Sequence, residues 1–202
     1  MARVDLTEPY AIRMARRNVR ESLMAHGEEV IALRMYHTDP DQGVQPRCPV
    51  CYDDAYEQGD TAYCTACYGT TFEGGVKVMS RTWAMLTTDN LNEDIRKRGV
   101  YQPFTHQVQM EWNPALVEND YFLRVKRWSM DHRPLELHAA YVVRAMQPEI
   151  VRTGNQLVQD GNDYVGQRGT CDQLDRSHVI YATWGRIISD SFPVDRLDGL
   201  NR

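Results

Sequence analysis

Two cysteine pairs, Cys48-Pro-Val-Cys51 and Cys64-Thr-Ala-Cys67, stand twelve residues apart in the chain. Each CxxC sets two sulfurs on one tight knuckle, and a connection of this length, containing Asp and Gly, folds back to bring the second knuckle over the first. Four thiolates gathered this way close a tetrahedron around one metal ion. Gly69, two residues past Cys67, fits a knuckle that needs positive φ. Cysteine at all four ligand positions leaves no open site for substrate, so the expected ion, one zinc per chain, holds structure and performs no chemistry. Iron is the alternative ion at the same sulfurs. Two disulfides are the alternative to metal, but the start of the chain, Met-Ala-Arg-Val-Asp-Leu-Thr-Glu, lacks the apolar core of a secretory signal. A reducing compartment is therefore expected, and it favours metal. Cys171, about a hundred residues away, reads as a small buried apolar residue.

Other residue types that do chemistry are scattered. His26, His37, His106, His132, His138 and His178 form no HExxH pattern, and the chain has no P-loop, no GxGxxG and no GxSxG. The adjacent pair Asp53-Asp54 sits among polar residues, without an apolar pocket in sequence to raise a carboxyl pKa. A redox CxxC needs a thiol at a helix N-terminus, and neither pair opens a convincing helix. The expectation is a protein that is not an enzyme.

Charge narrows the partners. The 202 residues carry a formal net charge of −5. From Cys48 to Val76 there is no Lys or Arg, while Asp53, Asp54, Glu57, Asp60 and Glu73 are all present, and four thiolates around zinc add a further formal −2. Such a segment repels phosphate, so it is a poor reader of nucleic acid. Apolar runs are too short to cross a bilayer.

The elements that must hold this cluster follow from periodicity. A helix is predicted over Glu8 to His26, with Thr7 as N-cap and Gly27 as a left-handed C-terminal residue. Ala11, Ala15, Val19 and Leu23 form one face of it, and Arg13, Arg16, Arg17 and Arg20 form a basic stripe, either solvated or docked on an acidic partner. Glu28 to His37 alternates as a strand, with Ile31, Leu33 and Met35 on one side. The ribbon follows over residues 47–75, an insertion between two strands. Further strands are predicted at Val76 to Thr87, His106 to Trp112, Tyr121 to Trp128, Leu135 to Met146, Tyr164 to Leu174 and Val179 to Ile188. The stretch from Asp89 to Tyr101, carrying Arg96, Lys97 and Arg98, is a short helix or a contact loop.

The fold class expected is mainly β: an antiparallel barrel or sandwich with an N-terminal helix and an inserted four-cysteine zinc ribbon. Its parts are residues 1–46 (helix and first strand), 47–75 (ribbon), 76–190 (body) and 191–202 (tail). Tyr52, Tyr56, Tyr63, Tyr68 and Phe72 cluster on the ribbon, where they serve either as interface anchors or as packing onto the body.

One resemblance covers these features. Cys48-Pro-Val-Cys51, followed by Cys64-Thr-Ala-Cys67-Tyr68-Gly69-Thr70-Thr71-Phe72-Glu73-Gly74-Gly75, resembles the zinc-ribbon segment of a group of tailed-phage neck proteins, which carry CPxC, then CxxCYGTGF and a GG turn. The sequence departs from that pattern at Thr71, where glycine is common. Downstream, the Tyr121 to Trp128 strand, the segment from Val142 to Arg152, Gly166-Gln167 and the strand carrying Cys171 to Leu174 are similar to head-closure barrels. The resemblance implies a stopper-type head-to-tail connector in the virion, assembled in the host cytoplasm as a ring of six or twelve subunits. It implies portal or adaptor and tail-terminator proteins as neighbours, and retention of packaged DNA with non-specific contact at most. The competing expectation is a zinc-stapled module that binds nucleic acid through the Arg13 to Arg20 stripe.

Overall fold

A computed structural model describes residues 8–36, 46–53, 55–56, 58–59, 64–88, 105–150, 164–190 and 194–195. Helix α1 (Glu8–His26) leads into strand β1 (Glu28–Met35), then the short β2 (Tyr52–Asp53) and β3 (Gln58–Gly59). Strands β4 (Val76–Thr88), β5 (Thr105–Glu111), β6 (Tyr121–Trp128), β7 (Pro134–Ile150) and β8 (Tyr164–Gln173) follow. Helix α2 (Val179–Asp190) and β9 (Val194–Asp195) end the described chain. The predicted contact segment with Arg96, Lys97 and Arg98 lies outside the described residues, as does Tyr63.

The main sheet runs β1-β6-β7-β8-β5-β4-β9, and β4 also pairs with β1. Six antiparallel strands thus each have two neighbours, and their pairing order is cyclic. The strands are staggered along the order: β7 gives residues Pro134 to Val142 to β6 and residues Tyr141 to Ile150 to β8, with a register shift between Val143 and Ala145. The two-residue β9 runs parallel to β4 at Ser80 and Arg81.

Alternation along the strands produces two cores. One draws on all six: Val30 and Ala32 of β1, Ala84 of β4, Val108 and Met110 of β5, Phe122 of β6, Tyr141 and Val143 of β7, and Cys171 of β8. Phe122 and Tyr141 stack there with centroids 4.9 Å apart. The second core lies on the opposite face of β1, β6 and β7, where Ile31, Leu33, Leu123 and Ala140 meet Ile180, Ile187 and Ile188 of α2. Val30, Ile31, Ala32 and Leu33 are all completely buried. That explains why β1 reads as an apolar run over its centre as well as an alternating one.

Two elements depart from the sequence expectation. Val179 to Ile188 is helical, although its β-branched residues read as a strand. Ile180, Thr183 and Ile187 fall at the helical spacing, and their face covers the second core. The helix starts where Asp175 Oδ1 accepts the Ser177 N–H and His178 Nδ1 accepts the Ile180 N–H. Gly27 does not take positive φ. Its N–H continues the helix to Leu23 O at 2.7 Å, and a Cβ there would come 2.4 Å from Ala84 O, so glycine is required by the close approach of β4.

Polar residues close the loops between strands. Asp120, fully buried, accepts the Met35 and Val117 N–H groups at 2.8 and 2.7 Å. Gln167 accepts the Leu116 N–H and donates to the Glu111 and Pro114 carbonyls. Satisfied on every side, these groups fix the loop from Trp112 to Asp120 without the penalty of an orphaned buried dipole.

Burial holds His106 and His178 below the usual imidazole pKa, and at His106 the Arg124 guanidinium pushes the same way while Asp172 opposes it. The unfolded chain, with imidazoles near about 6.5, therefore binds more protons than the folded one in the window just below that pH. Stability from these groups is complete above about pH 6.5 and is lost as the pH falls toward their folded values. Urea unfolding at pH 7 and pH 5 should show that loss, and the double variant His106→Asn/His178→Asn should have a shallower pH slope than the parent.

Candidate metal centre

The ribbon leaves the sheet after β1 and returns at β4. Its base is closed by an antiparallel bridge between Arg47 and Phe72 and by the Glu73 N–H donating to Pro46 O at 3.0 Å. Above it, Cys48 O accepts the Tyr52 N–H and Cys64 O accepts the Tyr68 N–H, the four-residue turns that each CxxC needs to face both sulfurs one way. Positive φ falls at Tyr68, Gly69, Thr71, Gly74 and Gly75. Thr71 thus occupies, as a non-glycine, a left-handed position where the resembled pattern has glycine. It is held there by its carbonyl accepting the Cys48 N–H at 2.8 Å and its Oγ1 accepting a 3.0 Å bond from Arg47 Nη1.

One sulfur from each of Cys48, Cys51, Cys64 and Cys67 lies within 4.8 Å of all the others. Cys48 and Cys64 sulfurs are 3.8 Å apart, and those of Cys51 and Cys67 are 3.5 Å apart. A disulfide needs about 2.05 Å. An edge of a tetrahedron with metal–sulfur bonds of about 2.3 Å is about 3.8 Å long, so the spacing fits a zinc-sized ion bound by all four. The cluster brings together every ligand that the spacing predicted, and three of the four residues are buried, with Cys51 half-buried.

Electrostatics point the same way. Burial raises the Cys64 thiol, but the N–H groups of Cys67 and Ala66 reach its sulfur and bring it down to about 7. Burial and the crowding thiols of Cys67, Cys64 and Cys48 push Cys51 far up. Burial likewise leaves Cys67 raised, although the N–H groups of Gly69 and Thr71 favour its thiolate. Four sulfurs in contact cannot all ionise without a cation among them, and a divalent ion held at the centre would supply that charge. Cys171 is separate: burial holds its thiol up at about 12, and it takes no part in the cluster.

Around the cluster the aromatic residues divide. Tyr68 and Phe72 are buried at 7% and 3% exposure, and Tyr68 joins the second core beside Leu33 and Ile187. Tyr52 is half-buried under the Arg47 guanidinium, which sits 4.7 Å from its centroid and 4.3 Å from that of Phe72. Tyr56 stands out at 76% exposure. Packing onto the body thus claims Tyr68 and Phe72, and Tyr56 is left as a surface group. Arg47, one residue ahead of the first cysteine, was not singled out by spacing; its position immediately before the knuckle is the signal that was there to read.

The arginine stripe of α1 also divides. Arg16 lies 3.7 Å over the Trp112 ring and donates to Tyr164 O at 2.6 Å. Arg20 sits 3.7 Å from Glu111, whose side chain is 2% exposed. These two face the sheet. Arg17 is exposed and paired with Glu21 at 2.7 Å, and Arg13 is exposed. Among the described residues no helix is long and apolar enough to cross a membrane.

No family model matches the chain, and no curated protein matches it.

Proposed function

We propose that this chain is a structural subunit of the neck of a tailed phage, a stopper-type connector that assembles as a ring of six or twelve copies between the portal or adaptor and the tail. In this reading the cyclic pairing order is a closed six-stranded barrel, the four cysteines hold one zinc, and the ring helps retain packaged DNA in the virion. The observation that carries it is the fusion of a four-sulfur knot with the body of the fold. The segment resembling the phage neck ribbon, Cys64 to Gly75, places Tyr68 in the same apolar cluster as β1, β6 and α2. A module seated in this way gives a stiff joint with defined outward surfaces, which is what a load-bearing ring requires. No step of chemistry is asked of the metal.

The nucleic-acid reading has less to stand on, because two of its four arginines are turned onto the sheet. Electron microscopy decides between the two. Purified protein at high concentration, or particles from the source, should show six- or twelve-fold rings at the head-to-tail junction. A chain that stays monomeric and enters no particle, yet binds DNA with an affinity that falls steeply with salt, would replace the first reading with the second.

A further inference from the structure

The contacts of Cys48 Sγ with Cys64 Sγ at 3.8 Å and of Cys51 Sγ with Cys67 Sγ at 3.5 Å both cross from one knuckle to the other, first cysteine to first and second to second. Each pair is 16 residues apart in the chain. A disulfide in either pair asks its sulfurs to close to about 2.05 Å, and it would then join the same two knuckles that a bound ion joins. Bonds inside the knuckles, Cys48 to Cys51 and Cys64 to Cys67, would leave the two halves of the ribbon unlinked.

Access to the sulfurs is uneven. Cys48, Cys64 and Cys67 are buried and Cys51 is half-buried, so a small oxidant arriving from solvent meets Cys51 first. Cys67, its neighbour at 3.5 Å, stands ready to resolve the product. The frame around them does not hang on an ion alone. Tyr68, next to Cys67, packs in the second core, and the Arg47–Phe72 bridge closes the base of the ribbon. Cys171 is fully buried and lies outside the cluster, so it keeps its thiol.

We infer that the cluster is an oxidation site at which a hydroperoxide exchanges the bound zinc for two disulfides, Cys51–Cys67 and Cys48–Cys64; this rests on the metal reading above and is independent of the ring. The Cys51 thiolate attacks one peroxide oxygen, the O–O bond breaks, an S–O bond forms and hydroxide leaves. The Cys67 thiolate then attacks the Cys51 sulfur, so that the S–S bond forms and the S–O bond breaks with loss of a second hydroxide. Solvent protonates both hydroxides to water. Each peroxide thus takes two electrons from two thiolates, and a second equivalent does the same at Cys48 and Cys64. With its thiolate ligands consumed, the ion is released. The ribbon is therefore held by metal in a reducing compartment and by sulfur–sulfur bonds in an oxidising one.

Titrating the zinc-loaded, full-length chain with hydrogen peroxide tests it. About two equivalents should release all the zinc, read with a chromogenic chelator, and leave one of the five thiols titratable in denaturant, that of Cys171. Peptide mass spectrometry should find Cys48 joined to Cys64 and Cys51 to Cys67, and dimedone added with the first equivalent should label Cys51. The oxidised chain should melt above the reduced, metal-free chain, because each new bond closes a loop in the unfolded state. Disulfides within the knuckles, sulfinic acid at Cys51, zinc retained against peroxide, or an oxidised chain that melts no higher than the reduced, metal-free one would overturn the inference and leave the metal site standing. An untreated chain that carries no zinc would overturn both.

Discussion

Removing the metal, by chelator or by Cys67→Ser, is expected to lower the melting temperature by at least about 10 °C and to release about one zinc per chain. Structural zinc in small modules contributes about 10 kcal/mol or more to the folded state, because the ligand set does not exist in the unfolded chain. Here the loss spreads beyond the ribbon. Tyr68 and Phe72 are held by the knuckle and the bridge at its base, and both are buried. Exposing two such side chains costs about 1.5–3 kcal/mol each. In a chain of this size one kcal/mol corresponds to about 2–4 °C, so the aromatic term alone accounts for most of the minimum shift. Elemental analysis gives the metal content, and hydrogen exchange should show the earliest loss of protection in residues 46–76. Cys171→Ser should keep the full metal content, since that thiol lies outside the sulfur cluster. Metal-free protein with stoichiometric disulfides and an unchanged melting point would refute the site.

The second large effect is at α1. Arg20→Ala is expected to cost about 3–5 kcal/mol, because it removes a guanidinium 3.7 Å from a carboxylate that stays almost fully buried. Adding Glu111→Gln should recover much of that loss, the sign of an uncompensated charge as opposed to a lost packing contact. The neighbouring Arg17→Ala should leave stability close to the parent's, since its pair with Glu21 is solvent-screened at 69% and 58% exposure. Urea titrations with equal slopes would measure all three. Equal effects at positions 17 and 20 would mean that Glu111 is served by other groups.

That contrast shows where sequence reading stops. The span of α1 and its four arginines follow from periodicity, but a stripe at i, i+3, i+4 and i+7 covers an arc wide enough for two members to face inward and two outward. Only the arrival of β5 and β8 beneath the helix decides which is which, and Gly166, where a Cβ would come 3.3 Å from Val19 Cγ1, lets the helix lie that close. The four ligands were legible because a CxxC is a local geometric unit. The burial of Tyr68 was not, because it depends on Ile187, more than a hundred residues away. The α2 segment was misread for a related reason: Val179, Ile180, Ile187 and Ile188 fit a strand by propensity, and the tertiary face they cover overrides it. The strands themselves, His106 to Trp112 above all, were visible because apolar and polar residues alternate along them, as Val108 and Met110 do with Gln107 and Gln109.

Met35 and Val76, the last residue of β1 and the first of β4, are register partners in the sheet. The whole ribbon therefore occupies the place of a hairpin turn. Its attachment to the body runs through this strand pair, the Tyr36 N–H donating to Gly75 O, and Tyr68 in the second core. The four-cysteine module is thus set off from the sheet that carries it, entering and leaving through one pair of neighbouring strands.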